Sequence, residues 1–425
     1  MPQLSKRLEQ ANFAANIFQL SNGLTIIHQH LLATPVVVAD IWVKAGAIAE
    51  PDKWSGMAHF LEHMIFKGSP NVAVGEFDWT IENTGSVANA ATSYDYAHFY
   101  LTTAAPHLSK TLPCLADILL RATIPDEEFI RERDVVLEEL SSSHDDPDFL
   151  GFQALCQNTY RRHPYGRSIL GEKELLLEHT PNQMRCFHRT HYQPENMTVV
   201  IVGGIEQETA LSLVNETFSD FSVRSECPTV VVEAEPPAIA ISRQELYLPR
   251  IEQARLFMAW VCPGSANLTE VIALDLIALI LSGGRSSGLV RELREERQLV
   301  LDIDSDISLQ KDSSLFTVNA WLETEHLTEV EAIICDRLYQ LQSTEIPETA
   351  IARAKRQLIN DYIFSTETPS QLAGLYGYYH TVATAQQSAL YPQTVNQIQA
   401  DQLQAIANRY LSPERYAVTV LKPRQ

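Results

Sequence analysis

The sequence predicts an α+β protein with two homologous domains, each an antiparallel sheet with helices packed mainly on one face. Two observations support this fold class: short β-rich runs alternate with long amphipathic helices, and the two halves of the chain resemble each other. Neither half has the regular β-helix-β alternation of a doubly wound parallel sheet. With 425 residues, the chain is long enough for two or three domains with sizeable cores.

The elements of the first half follow from local patterns. The runs LTIIHQHL and VVVADIWVKAG are typical of strands, and EFDWTIENTG is typical of a helix ending at Gly85. A strand pair is predicted for SVANAATSYDYAHFYLTTA. Helices are predicted for PHLSKTLPCLADILLRA and PDEEFIRERDVVLEELSSSHDD. The second of these helices opens with a proline and acidic residues, as the helix dipole favours.

An internal repeat divides the chain. IPDEEFIRERDVVLEEL from Ile124 resembles IPETAIARAKRQLIND from Ile346, and a Thr-x-Asn-Gln opening followed by a helix and a β-run occurs from both Thr180 and Thr394. The separations within the two copies are similar, 56 and 48 residues. A duplication is the simplest explanation. It predicts an N-terminal domain over residues 1–221, a polar, proline-containing linker over 222–242 and a C-terminal domain over 243–425.

Composition excludes several classes of protein. The chain has 32 Lys+Arg and 53 Asp+Glu, a net charge of −21, which argues against a nucleic-acid partner. No run approaches the ~20 apolar residues of a membrane span, and no signal-peptide core is seen, so we expect no membrane association. The six cysteines form no C-x-x-C pair, which is typical of a reducing compartment. We therefore expect a cytoplasmic location rather than a periplasmic one.

The stretch GMAHFLEHMIF contains His59, Glu62 and His63 in the order H-x-x-E-H. Residues four apart share a helix face, so the two imidazoles could bind one metal ion. Glu62 lies beside that face and could take the proton of a water that the ion activates. Such a histidine pair also occurs on solvated or core helix faces. Burying three polar side chains among these apolar residues without a partner would be costly, which favours the metal site.

A catalytic zinc needs a third protein ligand, and the acidic helix after Ile124 can supply it. Its Glu132 and Glu139 are seven residues apart and share a face. One could bind the metal while the other orients a histidine. The second copy lacks H-x-x-E-H and these glutamates, so we expect any metal chemistry in the first half. Another pair, His188 and His191, has no carboxylate at a suitable spacing, which indicates a structural or surface role.

With these motifs, the sequence resembles the inverted-zincin (HxxEH) metallopeptidase family of pitrilysin, insulin-degrading enzyme and mitochondrial processing peptidase. Within it, the chain is most similar to the short-chain bacterial, processing-peptidase-like branch. The resemblance covers nearly the whole chain. It rests on HFLEHMIFKGS, on VVLEEL with its last glutamate 76 residues after His63, and on the landmarks HPYG and SGGRSSGLVRELREERQ.

The resemblance implies a zinc metalloendopeptidase with one Zn²⁺ per chain. Zinc would be held by His59, His63 and Glu139. Glu62 would be the general base, and Glu132 would support the ligand shell.

The resemblance also implies how substrate would bind. A peptide or unfolded segment would add as a strand to the sheet edge SVANAAT, with Asn89 and Ala90 holding its backbone. Phe66 would form a hydrophobic wall beside the scissile bond. Plain core packing is the alternative for Phe66.

The second half departs from the family pattern. The family places an arginine and, seven residues later, a tyrosine that bind the substrate carbonyl. Here Arg294 fits the arginine, but the tyrosine position is Leu301, which cannot donate a hydrogen bond. We therefore expect a heterodimer with a homologous subunit that carries the Arg/Tyr pair. An active homodimer, or a lone chain using Tyr94 or Tyr96 as donor, is the alternative. Arg294 could equally be a surface ion-pair residue.

Two rival classes remain. Some relatives are structural core subunits without proteolysis, but such chains usually lose the H-x-x-E-H motif that this chain keeps. A peptide-binding scavenger would bind zinc and peptides without releasing products.

Overall fold

Residues 13–228, 230–249 and 251–424 are described by the computed structural model. Their strands, in chain order, are β1 (Asn16–Gln19), β2 (Thr25–His30), β3 (Val36–Val43), β4 (Val87–Thr92), β5 (Ala97–Ala104), β6 (Met197–Gly203), β7 (Ser242–Leu248), β8 (Ala254–Pro263), β9 (Asp302–Ser308), β10 (Ser313–Leu322) and β11 (Ala417–Pro423). The strands form two sheets.

Helices surround these sheets. In chain order they are α1 (Met57–Ile65), α2 (Glu76–Asn83), α3 (Leu108–Leu120), α4 (Asp126–Ser143), α5 (Pro147–Thr159), α6 (Lys173–Glu178), α7 (Pro181–His191), α8 (Gln207–Thr217), α9 (Leu268–Ser282), α10 (Leu327–Ser343), α11 (Glu348–Phe364), α12 (Pro369–Val382), α13 (Ala385–Gln397) and α14 (Ala400–Tyr410). A π-helical turn covers Val290–Glu296. The predicted α+β class and its two homologous halves are confirmed.

The two sheets share one strand order. The first runs β1-β2-β6-β3-β5-β4 and the second β7-β11-β8-β10-β9, so the second repeats the first without β1. In each sheet one neighbouring pair is parallel, β2 with β6 and β7 with β11, and the other pairs are antiparallel. The all-antiparallel pairing predicted from the sequence is therefore wrong at one ladder in each sheet. The final strand of each copy enters between two earlier ones, which short-range patterns do not reveal.

The compact units do not follow continuous stretches of sequence. The N-terminal unit extends to Leu140 and includes Ser168–Val231 and Phe364–Ala389, while the C-terminal unit contains Ser141–Arg167, Val232–Ile363 and the residues from Leu390 onward. The predicted boundaries therefore misassign two segments. The segment with α5 belongs to the C-terminal unit, and the segment with α12 belongs to the N-terminal unit. The division at residue 231 falls inside the predicted linker, which has no helix or strand in its described part before β7.

Helix packing explains these two exchanged segments. Helix α5 packs on β7, β8 and β11 of the second sheet, and α12 packs on β3 and β6 of the first. A glycine lies at each contact and leaves no room for a side chain: an added Cβ at Gly151 would lie 2.2 Å from the Phe257 ring, and one at Gly377 would lie 2.0 Å from the Trp42 indole. Each sheet thus has one of these helices on the face opposite its main layer of helices, which agrees with the predicted packing mainly on one face.

One alignment within the predicted repeat is also wrong. The Thr180 side chain caps the start of α7, but Thr394 lies inside α13 rather than at a helix start. The counterpart of α7 is α14, which begins at Ala400 with Gln399 in the capping position. The repeat itself is unaffected. The Thr-x-Asn-Gln at Thr394 is a chance match that lies before the helix equivalent to α7.

The core of the C-terminal unit contains the most apolar helix. The segment Ser265–Ser282, which includes α9, is the one stretch of the described residues long and apolar enough to fit a membrane span. Its Leu274, Ile277 and Leu281 are buried in the hydrophobic core of that unit. This burial is typical of a core helix in a folded domain.

Candidate metal centre

Helix α1 is held at its start by a buried carboxylate. Glu50, which has no exposed surface, accepts hydrogen bonds from the backbone N–H groups of Gly56 (3.0 Å) and Ala58 (2.7 Å). Gly56 adopts φ 86°, and a side chain there would lie 2.8 Å from the Cα of Gly171. Glycine is required for both reasons. These contacts fix where α1 begins and therefore where its histidines point.

His59, His63 and Glu139 converge as predicted. His59 Nε2 lies 3.5 Å from Glu139 Oε1, and His63 Nε2 lies 3.3 Å from Glu139 Oε2. One ligand atom from each residue falls within 4.8 Å of the others. Ligand atoms bound tetrahedrally to zinc at ~2.0–2.1 Å lie about 3.3–3.4 Å apart. The two distances involve different oxygens of Glu139, and each is close to this spacing. The two imidazoles and the carboxylate thus have the chemistry of a zinc-binding set and lie close enough together to share one ion.

Glu132 lies behind His63, in the supporting position predicted for it. Its Oε1 accepts a hydrogen bond from His63 Nδ1 at 3.0 Å, so Nε2 remains directed at the ligand cluster. Its Oε2 forms an ion pair with Lys67 Nζ at 2.6 Å. A carboxylate on the second ring nitrogen fixes the tautomer and raises the basicity of a ligating histidine. Sequence reasoning missed Lys67, although its place four residues after His63, about one helical turn, could have indicated it.

Electrostatics keeps both glutamates in the anionic form. Burial alone would raise the pKa of Glu132, but hydrogen bonds from His63 and Lys67 hold that pKa below its usual value. Hydrogen bonding from His59 lowers the pKa of Glu139 despite partial burial. Burial favours neutral His63, yet its bond to Glu132 and the nearby carboxylates raise its pKa overall. The centre is therefore a site of concentrated negative charge, suited to a divalent cation.

The proposed base, Glu62, has a partner that sequence reasoning missed. Thr92 Oγ1 donates a hydrogen bond of 2.5 Å to Glu62 Oε2. Thr92 is the last residue of β4, thirty positions away in sequence, so only the packing of α1 beside the sheet edge reveals this contact.

The two histidines differ in their support. His59 is 8% exposed, and its Nδ1 is buried without a hydrogen-bond partner among the described residues. His63 has Glu132 at the equivalent atom. The ring orientation of His59 therefore depends on packing and on ligation, whereas that of His63 is set before any metal binds.

Strand β4 forms an open edge of the first sheet. Among the described strands it pairs with β5 alone, placing Asn89 opposite Tyr100 and Ala90 opposite Phe99. Backbone groups along such an edge can pair with an added strand. The edge lies next to α1, because β4 contacts that helix. The expected substrate-binding residues Asn89 and Ala90 thus lie beside the metal-binding helix.

Phe66 packs in the core and also borders a cavity, while its expected place beside a scissile bond stays a prediction. Its ring packs against Phe77 and Phe99, with centroids 5.6 and 6.1 Å away. It also lines a cavity of about 340 Å³ that is bounded by α2 and β4. Residues at the cavity wall include Phe77, Ile81 and Ala88. The side chain is therefore a core contact on one side and an apolar cavity wall on the other.

The predicted substrate residues of the second half lie in the C-terminal unit. Arg294 donates hydrogen bonds to Glu295 (3.1 Å) and Asp302 (2.9 Å), so its guanidinium is engaged in ion pairs near the surface. Leu301 is 59% exposed. This geometry matches the ion-pair alternative for Arg294 as it stands in the chain alone.

The remaining candidates are engaged in packing or hydrogen-bond contacts. Tyr96 packs on Trp42, which belongs to the core beneath α12. This core lies on the opposite face of the sheet from α1. Tyr94 is buried. His188 is buried and hydrogen-bonds to the Leu119 carbonyl at 2.7 Å. Among residues 13–228, 230–249 and 251–424, His59, His63 and Glu139 are the one group of metal-ligand type.

Two family models match in succession along the chain. Residues 25–173 match "Insulinase (Peptidase family M16)", and residues 179–358 match "Peptidase M16 inactive domain". The chain belongs to peptidase family M16. The metal-binding set falls within the first model, and the M16 "inactive domain" model covers most of the C-terminal half. This division agrees with the prediction that metal chemistry is confined to the first copy.

Relatives of the M16 chain extend over its full length. An uncharacterized zinc protease of Mycobacterium tuberculosis is 27% identical, with 100% of this chain and 96% of the relative covered. Zinc protease PqqE of Helicobacter pylori is 27% identical over 95% of this chain and 92% of its own. The family is thus one of zinc metallopeptidases.

Solved structures give the same result for the fold. A protease from Helicobacter pylori superimposes with a TM-score of 0.90 at 26% identity, covering 97% of this chain and 100% of the other. A putative M16-like peptidase from Alicyclobacillus acidocaldarius gives a TM-score of 0.86 at 22% identity, covering 99% and 100%, and supports the fold.

Proposed function

We propose that this chain is a zinc metalloendopeptidase that hydrolyses peptides or unfolded segments. The observation that carries the proposal is the convergence of His59, His63 and Glu139, with the carboxylate of Glu62 on the same helix beside an open sheet edge. His59, His63 and Glu139 would hold one Zn²⁺ per chain. When bound, zinc supplies Lewis acidity and makes a nearby water acidic enough to react near neutral pH.

The protein's own residues handle the protons. Glu62 Oε2 is occupied by Thr92, and no hydrogen bond to Oε1 is seen within the described part of the chain. Oε1 would accept the proton of the attacking water and later deliver it to the leaving amine. Glu132 orients His63, with Lys67 balancing its charge.

The substrate would lie along β4. Its backbone would pair with the edge near Asn89 and Ala90, which restricts the substrate to extended, flexible segments. One side chain of the added strand would enter the cavity beside Phe66. A folded protein without an accessible extended segment would be excluded.

Zinc-dependent peptide cleavage tests this function. The full-length chain, loaded with zinc, is incubated with a mixture of unstructured peptides, and the products are identified by mass spectrometry. We expect internal cleavage that stops on chelation and returns with zinc. A zinc-loaded chain that binds peptides but releases no products would instead support the scavenger, and one that binds neither zinc nor peptide would support a structural subunit.

We further propose that the active form is a heterodimer with a homologous subunit that supplies the Arg/Tyr pair. Support comes from Leu301 in the tyrosine position and from Arg294, whose guanidinium is engaged by Glu295 and Asp302. The experiment is co-purification from the native cell, followed by comparison of the chain alone and the mixed pair. Full activity of the chain alone would favour the homodimer or monomer. The cytoplasmic location stays a prediction.

A further inference from the structure

Thr92 occupies an unusual place for a strand residue. It ends β4, where its backbone pairs with Ala97 of β5. Its hydroxyl is directed to α1, where it donates to Glu62 Oε2 at 2.5 Å. A threonine on a sheet edge normally hydrogen-bonds to water or to a neighbouring strand. Here the hydroxyl donates its hydrogen bond to the carboxylate of the residue that lies, in sequence, between the two histidines of the metal-binding set.

The same strand is anchored at its other end. Just before β4, Ser86 Oγ donates to Thr103 Oγ1 at 2.7 Å, and Thr84 Oγ1 lies 2.7 Å from Ser86 Oγ. These contacts fix the start of β4 to β5 and to the end of α2. Thr92 links the far end of β4 to α1. These contacts thereby fix the position of the edge that would receive the substrate relative to the helix that carries the base.

We infer that Thr92 is a positioning residue for Glu62, a role that rests on the proposed function. A carboxylate on a flexible side chain can rotate, and a donor on one oxygen selects one orientation. With Oε2 held by Thr92, Oε1 is the oxygen left for proton transfer. The bond ties base orientation to the strand on which the peptide would lie.

Two variants test this role. Thr92→Val keeps the shape and removes the donor, while Thr92→Ser keeps the donor. We expect Thr92→Val to retain zinc and KM but to lose about 10-fold or more in kcat, because displacement of a catalytic group by ~1 Å can cost roughly 10²-fold. Thr92→Ser should restore most of the rate. An unchanged kcat in Thr92→Val, in an active parent, overturns the inference.

A measurement without turnover separates this inference from the proposed function. A peptide hydroxamate binds zinc and can also donate a hydrogen bond to the base glutamate. Calorimetry should show several-fold weaker binding to Thr92→Val than to the parent or Thr92→Ser. If the parent binds zinc and hydroxamate yet cleaves no peptide, the proposed activity fails while the affinities still decide the role of Thr92. Equal affinities overturn that role.

A separate observation concerns two cysteines far apart in sequence. Cys186 Sγ on α7 lies 3.4 Å from Cys227 Sγ, and both are free thiols. Cys227 belongs to the segment predicted as the linker, and both residues lie in the N-terminal unit. The other four cysteines are also free thiols.

The segment around Cys227 is fixed against α7 by hydrogen bonds. Thr190 Oγ1 donates to the Ser225 carbonyl at 2.9 Å, and Gln193 Nε2 donates to the Ser222 carbonyl at 3.1 Å. Cys186 Sγ also lies 3.5 Å from the Glu226 carbonyl. The two sulfurs are therefore held together by the surrounding backbone. Both side chains are half-buried, so a small reagent has access to the pair.

The geometry points to a second site, a dithiol at Cys186 and Cys227 that a small-molecule disulfide converts to an intramolecular disulfide. Oxidised glutathione is a suitable oxidant. The Cys186 thiolate attacks one of its sulfurs, forms a mixed disulfide and releases one glutathione. The Cys227 thiolate then attacks Cys186 Sγ and releases the second. Two thiol protons leave, and the two electrons reduce the glutathione disulfide.

The close approach of the two sulfurs favours the second step. Burial raises the pKa of Cys227 to about 12, so its thiolate is scarce. The second step is intramolecular, and the fixed 3.4 Å separation gives it a high effective concentration. The product would attach the start of the linker covalently to α7.

Mass spectrometry of the oxidised full-length chain tests this site. After equilibration with oxidised glutathione and a digest without reductant, we expect a peptide pair joined through Cys186 and Cys227, lacking two hydrogen atoms. Reduced glutathione should reverse the link. Cys227→Ser should instead retain a glutathione adduct on Cys186. A stable adduct on Cys186 in the parent, or reaction confined to Cys114 and Cys335, overturns the proposal.

Discussion

Helices α4 and α11 occupy equivalent places in the two units but carry different chemistry. Buried apolar positions coincide in the repeat, with Phe129 matching Ile351 and Val136 matching Leu358. Between them, the buried position is Glu132 in α4 and Ala354 in α11. The comparison shows that these two apolar packing positions are shared, while the inward position between them is a methyl group in α11 and a carboxylate in α4.

A carboxylate at that inward position needs partners that only the N-terminal unit has. Glu132 is 8% exposed and is satisfied by His63 and Lys67, both on or just after α1. The counterpart of α1 is α9, an apolar helix without histidine or lysine. A glutamate placed at Ala354 would lie in the apolar core of the C-terminal unit without such partners, at considerable cost. The metal centre is therefore a property of two helices together, α1 and α4.

The largest effect should come from Glu62, the group with no counterpart in the second unit. Glu62→Gln should keep zinc and lower kcat by about 10²- to 10⁴-fold, because a positioned general base contributes that much. Peptide turnover and bound zinc, measured on one preparation, check this. A Glu62→Gln variant with the kcat of the parent would show that Glu62 is not the general base. The base would then not be a difference between the two units.

Removing the ligand on α4 should come next. Glu139→Gln should weaken zinc binding by more than about 100-fold, since even loss of a supporting partner costs roughly 10- to 100-fold. The matched control is Glu138→Gln, an exposed neighbour on the same helix. Zinc affinity is measured by competition with a chelator. Equal affinities for the two variants would place the third ligand elsewhere.

The direct test of the helix comparison is Glu132→Ala, which gives α4 the residue of α11. We expect zinc affinity to fall by about 10- to 100-fold, because His63 loses the partner that sets its tautomer. Lys67 would also lose its ion-pair partner. Retained affinity, from the same chelator competition, would show that the carboxylate is needed for packing only.

A buried acid in the C-terminal unit offers a pH-dependent test. Burial raises the pKa of Asp275, on α9, to about 6, although the Tyr391 hydroxyl donates a hydrogen bond to it. A carboxyl with a raised folded-state pKa destabilises the fold as pH rises from about 4 to 6. Asp275→Asn should thus be more stable than the parent by about 1–3 kcal/mol at pH 8, and by less at pH 4. Denaturant midpoints at both pH values decide this, and a pH-independent difference would contradict it.

The smallest effect on stability should come from Arg294. Its ion pairs with Glu295 and Asp302 lie near the surface, so Arg294→Ala should change the free energy of unfolding by less than about 1 kcal/mol. The same variant also sharpens the subunit question. An unchanged rate for the chain alone agrees with an Arg/Tyr pair supplied by another subunit. A large loss of rate in the chain alone would show that Arg294 binds substrate despite Leu301.

Much of this protein follows from the sequence alone. The spacing of His59, Glu62 and His63 fixes three groups on one helix because four residues make about one helical turn. The repeat predicts two similar α+β halves because similar sequences bury similar faces. The pairing of Glu132 and Glu139 on one helix follows from the same periodicity, and their division into supporting residue and ligand came from the family resemblance.

The tertiary structure decided the features that depend on contacts distant in sequence. The exchange of α5 and α12 between sheets leaves no local pattern, because a helix has the same apolar stripe whichever sheet it covers. The central place of β6 and β11, and with it one parallel pair per sheet, depends on chain path rather than composition. Thr92 and Glu62, like Cys186 and Cys227, meet only because separate elements pack side by side, a relationship that periodicity cannot encode.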